Sequence, residues 1–507
     1  MAGKRVLLIV NGTRGDCQPF AALALALQKS GFDAVILTNP DHETLCRDLG
    51  VEFRSNGFPM RELFTSDLAV AAFKSNNTVS FLSVNGAQHR KHGTKCYRAL
   101  YECMSAYQPD LVICGTQHNP DSPWIPRLFR VPVLNFVLAN SHTQAATHAP
   151  YGLPSLPLGL NRPVWWLVFW KYISDMSAGG WAVLAELSAR SSADFLPSVR
   201  EVLDTLGAGD RYSFVPYVIC QDEWLTGRLP TDKHWFRYIG NLTLPEKALT
   251  GDEFGAAQES LLREFLGRAG PDPRPLVYIG WGSVQGETQE WMACLAVRTL
   301  MLVGCRGIVL GGWAQLSSKH LLGQPDSPEM EHFVKEHVLF LPTANHAQLF
   351  RKCSVIVHHG GIGTTISAIR SGTPSVVTPI FYDQFDSARL VQKSGQGIGL
   401  RAFSSTTPET LAAAIRTCLD DHCLRAAARE LGERLCARDG CEEAVELVSD
   451  FLRPSSMSAY WQHMDALEGR EALARRKRRC AAMAMKIVAA VAAAVVVVAA
   501  TVMGWAR

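Results

Sequence analysis

Residues Ile356 to Gln384 read IVHHGGIGTTISAIRSGTPSVVTPIFYDQ, and this stretch narrows the fold more than any other. An apolar strand (Val355, Ile356, Val357) runs into His358 and His359. A glycine-rich turn follows (Gly360, Gly361, Gly363), then Thr364, Thr365 and a helix. A strand that turns tightly into a helix is the repeating unit of an open parallel sheet. The same turn is suited to an anion. Glycines let the backbone approach closely, and the first N–H groups of the helix have no partner inside it. After the next apolar run, Ser375 to Ile380, Asp383 and Gln384 supply an acceptor and an amide. A phosphate site beside a carboxylate–amide pair fits a sugar nucleotide better than a plain nucleotide.

The rest of the chain repeats this grammar. In the first half, strands are expected at Arg5 to Val10, Phe32 to Thr38, Asp110 to Cys114 and Val131 to Ala139. Helices are expected at Phe20 to Ser30, Asp41 to Leu49 and around Tyr97 to Tyr107. A second alternation starts at Leu276 to Gly280 and continues through Glu290 to Leu302, Gly307 to Leu310, Val338 to Leu341 and Val355 to His358. The polar, proline-containing stretch Thr243 to Arg274 separates them. The expected domains are therefore 1–242 and 270–452, each α/β and doubly wound. Between Pro150 and Trp181 the pattern breaks into prolines and tryptophans. Trp165, Trp166 and Trp170 there read either as a packed inter-domain helix or as the aromatic wall of a pocket for an apolar acceptor.

Charge excludes one class of partner. The chain of 507 residues carries 50 Lys/Arg and 47 Asp/Glu. Residues 470–507 hold eight of the basic residues and one acid, which leaves 42 against 46 in the body. A mildly acidic body has no footprint for nucleic acid. The fourteen cysteines show no C-x-x-C pair and no metal-ligand spacing, so no metal site is expected. They read as buried small hydrophobes in a reducing compartment. The basic-rich His89, Arg90, Lys91, His92 cluster reads as solvated surface.

The carboxyl terminus stands apart. Ile487 to Trp505 is nineteen residues without a charge, preceded by Arg475, Arg476, Lys477, Arg478 and Arg479. Nineteen helical residues span roughly 30 Å, the thickness of the hydrocarbon core. The basic run is expected to stay cytoplasmic. The reading is a single-pass tail anchor at 487–505, reached by a polar, basic juxtamembrane helix at 453–479, with the preceding domains cytoplasmic; the alternative is a surface-lying helix held by the basic residues on anionic lipid.

Two further turns carry chemistry. After the first strand come Asn11, Gly12, Thr13, Arg14, Gly15 and Asp16. This is not G-x-G-x-x-G, so a nicotinamide fold is unsupported. Asp16 at a helix start reads as an N-cap or as a general base for a hydroxyl at the carboxyl edge of the sheet. Gly280, Trp281, Gly282 and Ser283 follow the first strand of the second half, where Ser283 and backbone N–H groups can meet a diphosphate. Of the two adjacent histidines, successive strand residues point opposite ways, and His359 beside the glycine loop is the expected ligand.

The segments Gly12 to Phe20, Tyr278 to Ser283 and His358 to Thr365, with Gly311-Gly312-Trp313, Arg370 to Pro374 and Asp383-Gln384, resemble the UDP-glycosyltransferases. Within these they are most similar to sterol 3-beta-glucosyltransferases and their bacterial antibiotic-modifying relatives. The resemblance covers about residues 4–450. It implies a GT-B fold, two Rossmann-like domains facing a cleft, with acceptor bound by the first and UDP-sugar by the second. It implies an inverting, metal-independent transfer with no cofactor, the UDP-sugar being a co-substrate. Asp16 inherits the base. His359, Gly361, Gly363, Thr364 and Ser283 inherit the phosphates, and Asp383 and Gln384 the sugar hydroxyls. Ser367 stands where plant-type members carry a ribose-binding glutamate. The expected reaction moves a hexose, glucose first, to a hydroxyl of a lipophilic acceptor, sterol first. The rivals are a polyketide, flavonoid or other small phenol as acceptor, and a non-catalytic nucleotide-sugar-binding membrane protein.

Overall fold

A computed structural model describes residues 3–138, 156–157, 159–191, 196–206, 217–228, 235–248, 256–267 and 274–470. Residues 1–449 form one compact unit and 450–507 a second.

The first unit holds two sheets. One contains β1 (Arg5–Ile9), β2 (Asp33–Thr38), β3 (Glu52–Ser55), β4 (Leu111–Cys114), β5 (Val133–Val137), β6 (Tyr217–Cys220) and β7 (Arg237–Ile239). The other contains β8 (Leu276–Gly280), β9 (Arg306–Leu310), β10 (Val338–Leu341), β11 (Val355–His358), β12 (Ser375–Val377) and β13 (Gly397–Gly399). Their orders are β3-β2-β1-β4-β5-β6-β7 and β10-β9-β8-β11-β12-β13. All pairings are parallel, with Val6 opposite Ala34 and Leu111, and Ile279 opposite Val309 and Val357. Strand order reverses between β1 and β4 and between β8 and β11. In open sheets the ligand crevice lies outside the carboxyl ends at such a reversal. Asp16 follows β1, Ser283 follows β8 and His359 follows β11, so the reversals gather the expected site residues.

Burial explains the strands. Parallel sheets are covered on both faces, so their strands read as unbroken apolar runs. Val6, Leu7, Leu8 and Ile9 have no exposed surface, and neither do Val355, Ile356 and Val357. One face of the first sheet (Leu7, Ile9, Val112) packs on Leu100, Met104 and Leu184 from two long helices, Thr78–Tyr107 and Asn161–Leu187. The second sheet packs Val277, Ile279 and Val357 on Met292, Leu300 and Ile415.

The structure moves some expected boundaries. The first helix runs Arg14–Lys29 and starts six residues before Phe20. Pro19 is its sixth residue; it has no N–H for the Gly15 carbonyl, and its ring crowds that carbonyl. Strands β3, β6 and β7 were not expected. β3 reads EFRS, a charged edge strand with no apolar alternation. The tryptophan-rich helix packs mainly within the first half, against Thr78–Tyr107. His89 is buried at 5% exposure and Arg90 is paired to Asp175, so that cluster is not wholly solvated surface.

A return of the chain ties the halves together. Arg438 Nη1 donates to Asp222 Oδ1 at 2.8 Å, and Arg438 also pairs with Glu443. Arg434 lies over the Trp224 ring at 3.8 Å. Trp224 and Leu225 pack on Ile366, Ile369 and Leu435. At the crossing, a Cβ on Gly440 would sit 2.0 Å from the Gly240 carbonyl oxygen. Backbone on both sides leaves no flexible group to yield. Gly440→Ala is expected to destabilise the protein by about 1–3 kcal/mol through overpacking. Urea unfolding of the variant beside its parent measures this, and an unchanged midpoint would show that the crossing opens freely.

In the second unit, residues 454–470 are helical and Tyr460 packs its edge on Phe451 with ring centroids 5.5 Å apart. The proposed anchor at 487–505 lies outside the described residues. Among the described residues no helix is long and apolar enough to cross a membrane.

Candidate active site

The carboxyl edges of the two sheets face a cavity of about 1090 Å³, lined from both halves. Asp16 lines it from the start of the first helix. Thr13, not Asp16, is the N-cap residue, and Asp16 is the third helical residue reaching back to it. Thr13 N donates to Asp16 Oδ2 at 2.8 Å and Thr13 Oγ1 lies 3.2 Å from the same oxygen. Both bonds fall on Oδ2, which leaves Oδ1 without a hydrogen bond among the described residues. The turn is built around this carboxylate. Gly12 has φ +140°, and a Cβ there would lie 2.2 Å from Asp16 Oδ2. Asn39 and His42 hold Gly12 through its N–H and carbonyl. Asn11, within a formal glycosylation sequon, is buried and accepts a bond from Asn56.

Across the cleft, Gly361 caps the helix Ile362–Ser371. The N–H groups of Ile362, Gly363 and Thr364 begin that helix and have no acceptor within it. A Cβ on Gly363 would lie 3.3 Å from Gly15 Cα, so the two helix starts meet directly. Both positive helix ends therefore converge on one spot. Thr364 lines the cavity, whereas Thr365 Oγ1 turns back to the Gly361 carbonyl at 3.0 Å. Ser283 and His359 line the cavity, and His358 does not. The His359 ring sits between two glycines. A Cβ on Gly282 would meet its Cε1 at 2.8 Å, and one on Gly361 its Nε2 at 2.5 Å. Its Nδ1 is buried without a partner. Burial lowers the His359 pKa to about 4, so the ring is neutral near pH 7 and offers one N–H.

Asp383 and Gln384 line the cavity beside Tyr382, which holds a left-handed backbone at φ +55°. Gln384 Oε1 is already engaged by the N–H groups of Ile380 and Phe381 at 2.9 and 3.0 Å. Only its amide nitrogen remains for a ligand. The Asp16 pKa is raised to about 6 by burial, against the lowering effect of its Thr13 bonds. The Asp383 pKa is raised to about 7, first by burial and then by the charge of Asp16.

These raised values cost stability in a defined window. The penalty for burying each charge is absent below the unfolded carboxyl pKa of 3.8. It grows as pH rises toward the folded value and is complete above it. Asp383→Asn is therefore expected to melt higher than its parent at pH 8, with the gap closing toward pH 4. A gap that stays constant over that range would remove the buried charge as its cause.

The aromatic wall is corrected in part. Trp165 is 1% exposed and lines the cavity, stacked on Phe169 with centroids 5.3 Å apart. Trp166 and Trp170 do not line it, and Trp170 is 48% exposed. A helix presents i, i+3, i+4 and i+7 on one face, so Trp165 brings Val168, Phe169 and Tyr172 with it and turns Trp166 and Trp170 away. That periodicity was available in the sequence. Less legible were Tyr278 and His346, which also line the cavity and bond through Tyr278 Oη and His346 Nε2 at 3.0 Å. Arg14 reaches the same region, where its charge adds to the burial that lowers the His346 pKa to about 3.

Comparisons with known proteins agree with this architecture. Residues 334–451 match the erythromycin biosynthesis protein CIII-like C-terminal domain. A sterol 3-beta-glucosyltransferase of Debaryomyces hansenii is 26% identical over 447 residues, which cover 87% of this chain and 26% of that protein. One from Saccharomyces cerevisiae is 25% identical, covering 87% and 34% respectively. The chain thus spans about a quarter to a third of the length of these curated relatives. The solved kitacinnamycin glycotransferase superposes with a TM-score of 0.60 at 16% identity, covering 89% of this chain and 100% of that one. The chain is thus similar over most of its length to sterol 3-beta-glucosyltransferases, and it has the GT-B fold of two facing Rossmann-like domains.

Proposed function

We propose that this protein transfers a hexose, glucose first, from a UDP-sugar to a hydroxyl of a lipophilic acceptor, with sterols the leading class. One observation carries the reading. A half-buried carboxylate with a raised pKa, one of its oxygens outside the Thr13 bonds, shares a cavity wall with the converging helix starts. The acceptor hydroxyl gives its proton to Asp16 Oδ1. Its oxygen bonds to the anomeric carbon as the bond from that carbon to the diphosphate oxygen breaks. The electron pair leaves with UDP, and attack opposite the leaving group inverts the centre. The N–H groups at Gly363 and Thr364, the Thr364 and Ser283 hydroxyls and the His359 N–H meet the departing charge. Donors of this kind already suit a diphosphate, so the reading requires no divalent cation. Asp383 and the Gln384 amide nitrogen hold sugar hydroxyls. Trp165, Phe169 and Tyr172 shape the acceptor side.

The similarity to sterol 3-beta-glucosyltransferases supports the donor and acceptor class. The uncharged segment 487–505 behind five basic residues supports a tail anchor that keeps the cleft near membrane-dissolved acceptors, with the catalytic domains cytoplasmic. The test is transfer from labelled UDP-glucose to pooled sterols by detergent-solubilised full-length protein, with chelator present. A labelled, chloroform-soluble product supports the reading. Binding of UDP without any sterol product would send the acceptor to the phenol and polyketide class. Release of the chain from membranes by alkaline carbonate would remove the anchor.

A further inference from the structure

At the sugar end of the cavity the two halves share one core. Helix Asp67–Lys74 belongs to the first half by sequence, lying between β3 and Thr78–Tyr107. Its Phe73 is 1% exposed, and it packs in the core of the second sheet with Trp281, Ile380, Phe381 and Phe403. The Phe73 ring centroid lies 5.2 Å from that of Phe381 and 5.2 Å from that of Phe81. Phe81, on Thr78–Tyr107, is itself 5.2 Å from Phe381. The three rings meet pairwise, tilted or edge-on, as aromatic rings prefer. Phe64 closes the group at 5.5 Å from Phe73 and 5.6 Å from Phe81. Beside Phe73, Lys74 Nζ pairs with Glu287 of the second half at 3.1 Å.

Phe381 stands two residues before Asp383. Between them Tyr382 holds its left-handed backbone at φ +55°. A residue with a side chain keeps that conformation where its surroundings hold it. On one side Gln384 Oε1 holds the backbone, accepting from the N–H groups of Ile380 and Phe381. On the other side Phe73 and Phe81 hold the Phe381 ring. Phe81, Phe381, Tyr382 and Asp383 line the cavity, and Phe73 does not. Any effect of Phe73 on a ligand therefore passes through the rings it touches.

We propose that Phe73 is a positioning residue for the donor sugar. From the first half it fixes Phe381, and through the Tyr382 turn it aims the Asp383 carboxylate at the sugar hydroxyls. The sugar is then read by both halves together, although its carboxylate belongs to the second. Other residues meet the diphosphate, so nucleotide and sugar can be separated by experiment. This inference rests on the sugar role given to Asp383 in the reading above.

The test is calorimetric binding of UDP and of UDP-glucose to full-length protein: the parent, Phe73→Leu, Asp383→Asn and the double variant. The ratio of the two affinities isolates the sugar. Phe73→Leu keeps an apolar side chain and removes the ring contacts. It is expected to shift the ratio about 5-fold against UDP-glucose, the scale of a lost aromatic pair, with UDP affinity unchanged. Asp383→Asn shifts the ratio the same way. Adding Phe73→Leu to it shifts the ratio no further, because both act through one carboxylate. A core that is merely loosened weakens both ligands alike. A ratio unchanged in Phe73→Leu, or full additivity in the double variant, would overturn the proposal. Should leucine not fold, Phe73→Met takes its place with the same outcomes. If the parent binds UDP but not UDP-glucose, the glucose reading falls separately and UDP-galactose supplies the ratio. If no UDP compound binds, the donor reading falls, and amide hydrogen exchange decides. Residues 380–386 of unliganded Phe73→Leu should exchange faster than in the parent while 355–366 do not. Equal exchange at 380–386 overturns the positioning role.

Discussion

Asp16→Asn is expected to lower the turnover number by about 10²–10⁴ while leaving UDP affinity near that of the parent. The amide oxygen can still accept from Thr13 N–H, so the helix start stays capped and the cavity keeps its shape. What disappears is the proton acceptor on Oδ1. The pH profile supplies an independent signature. Burial sets the Asp16 pKa near 6, and only the ionised form takes a proton. The kcat/KM of the parent should therefore fall as pH drops through about 6. The residual activity of the variant should show no such limb. Calorimetric UDP titration beside the kinetics separates the outcomes. Turnover unchanged in the variant would take the base role from Asp16, and lost UDP binding would mean that the substitution had disturbed the cleft.

His359→Ala is expected to cost about 10²–10³ in turnover, the usual effect of removing one donor aimed at developing negative charge. Its ring is fixed between Gly282 and Gly361 with no room to swing. With its pKa near 4, it acts as a neutral N–H rather than a cation. His359→Gln, which keeps an N–H donor, should recover part of the loss where alanine does not. If alanine and glutamine lose equally and UDP affinity is unchanged, the ring is packing between two glycines and nothing more.

Residues 270–452 were largely legible because most of their strands are short apolar runs. β8, β10 and β11 fall where the sequence places them. The first half was less so. β3 is charged, β7 has three residues, and the helix start at Arg14 is hidden by Pro19. At the site, the turns announced themselves because glycine is demanded wherever a backbone nears a ligand or a side chain, as at Gly12 and Gly361. Side-chain occupancy was not legible. Nothing in the string says that Gln384 spends its carbonyl on its own backbone. Nor does it say that Phe73 packs in the core of the second sheet. The tryptophans misled because their number drew attention away from their helical phase.

The crossing at Gly240 and Gly440 bears on how such a protein can be recombined. The chain leaves the first sheet, builds the second, and then returns to lay Arg438 on Asp222 and Gly440 on Gly240. The first half is therefore assembled from two separate stretches of gene. A chimera cut once in the 243–274 segment would pair one parent's Asp222 and Trp224 with another parent's returning arm. Swapping first halves calls for two crossovers, the second placed before Arg434, so that the arm travels with the surface it grips.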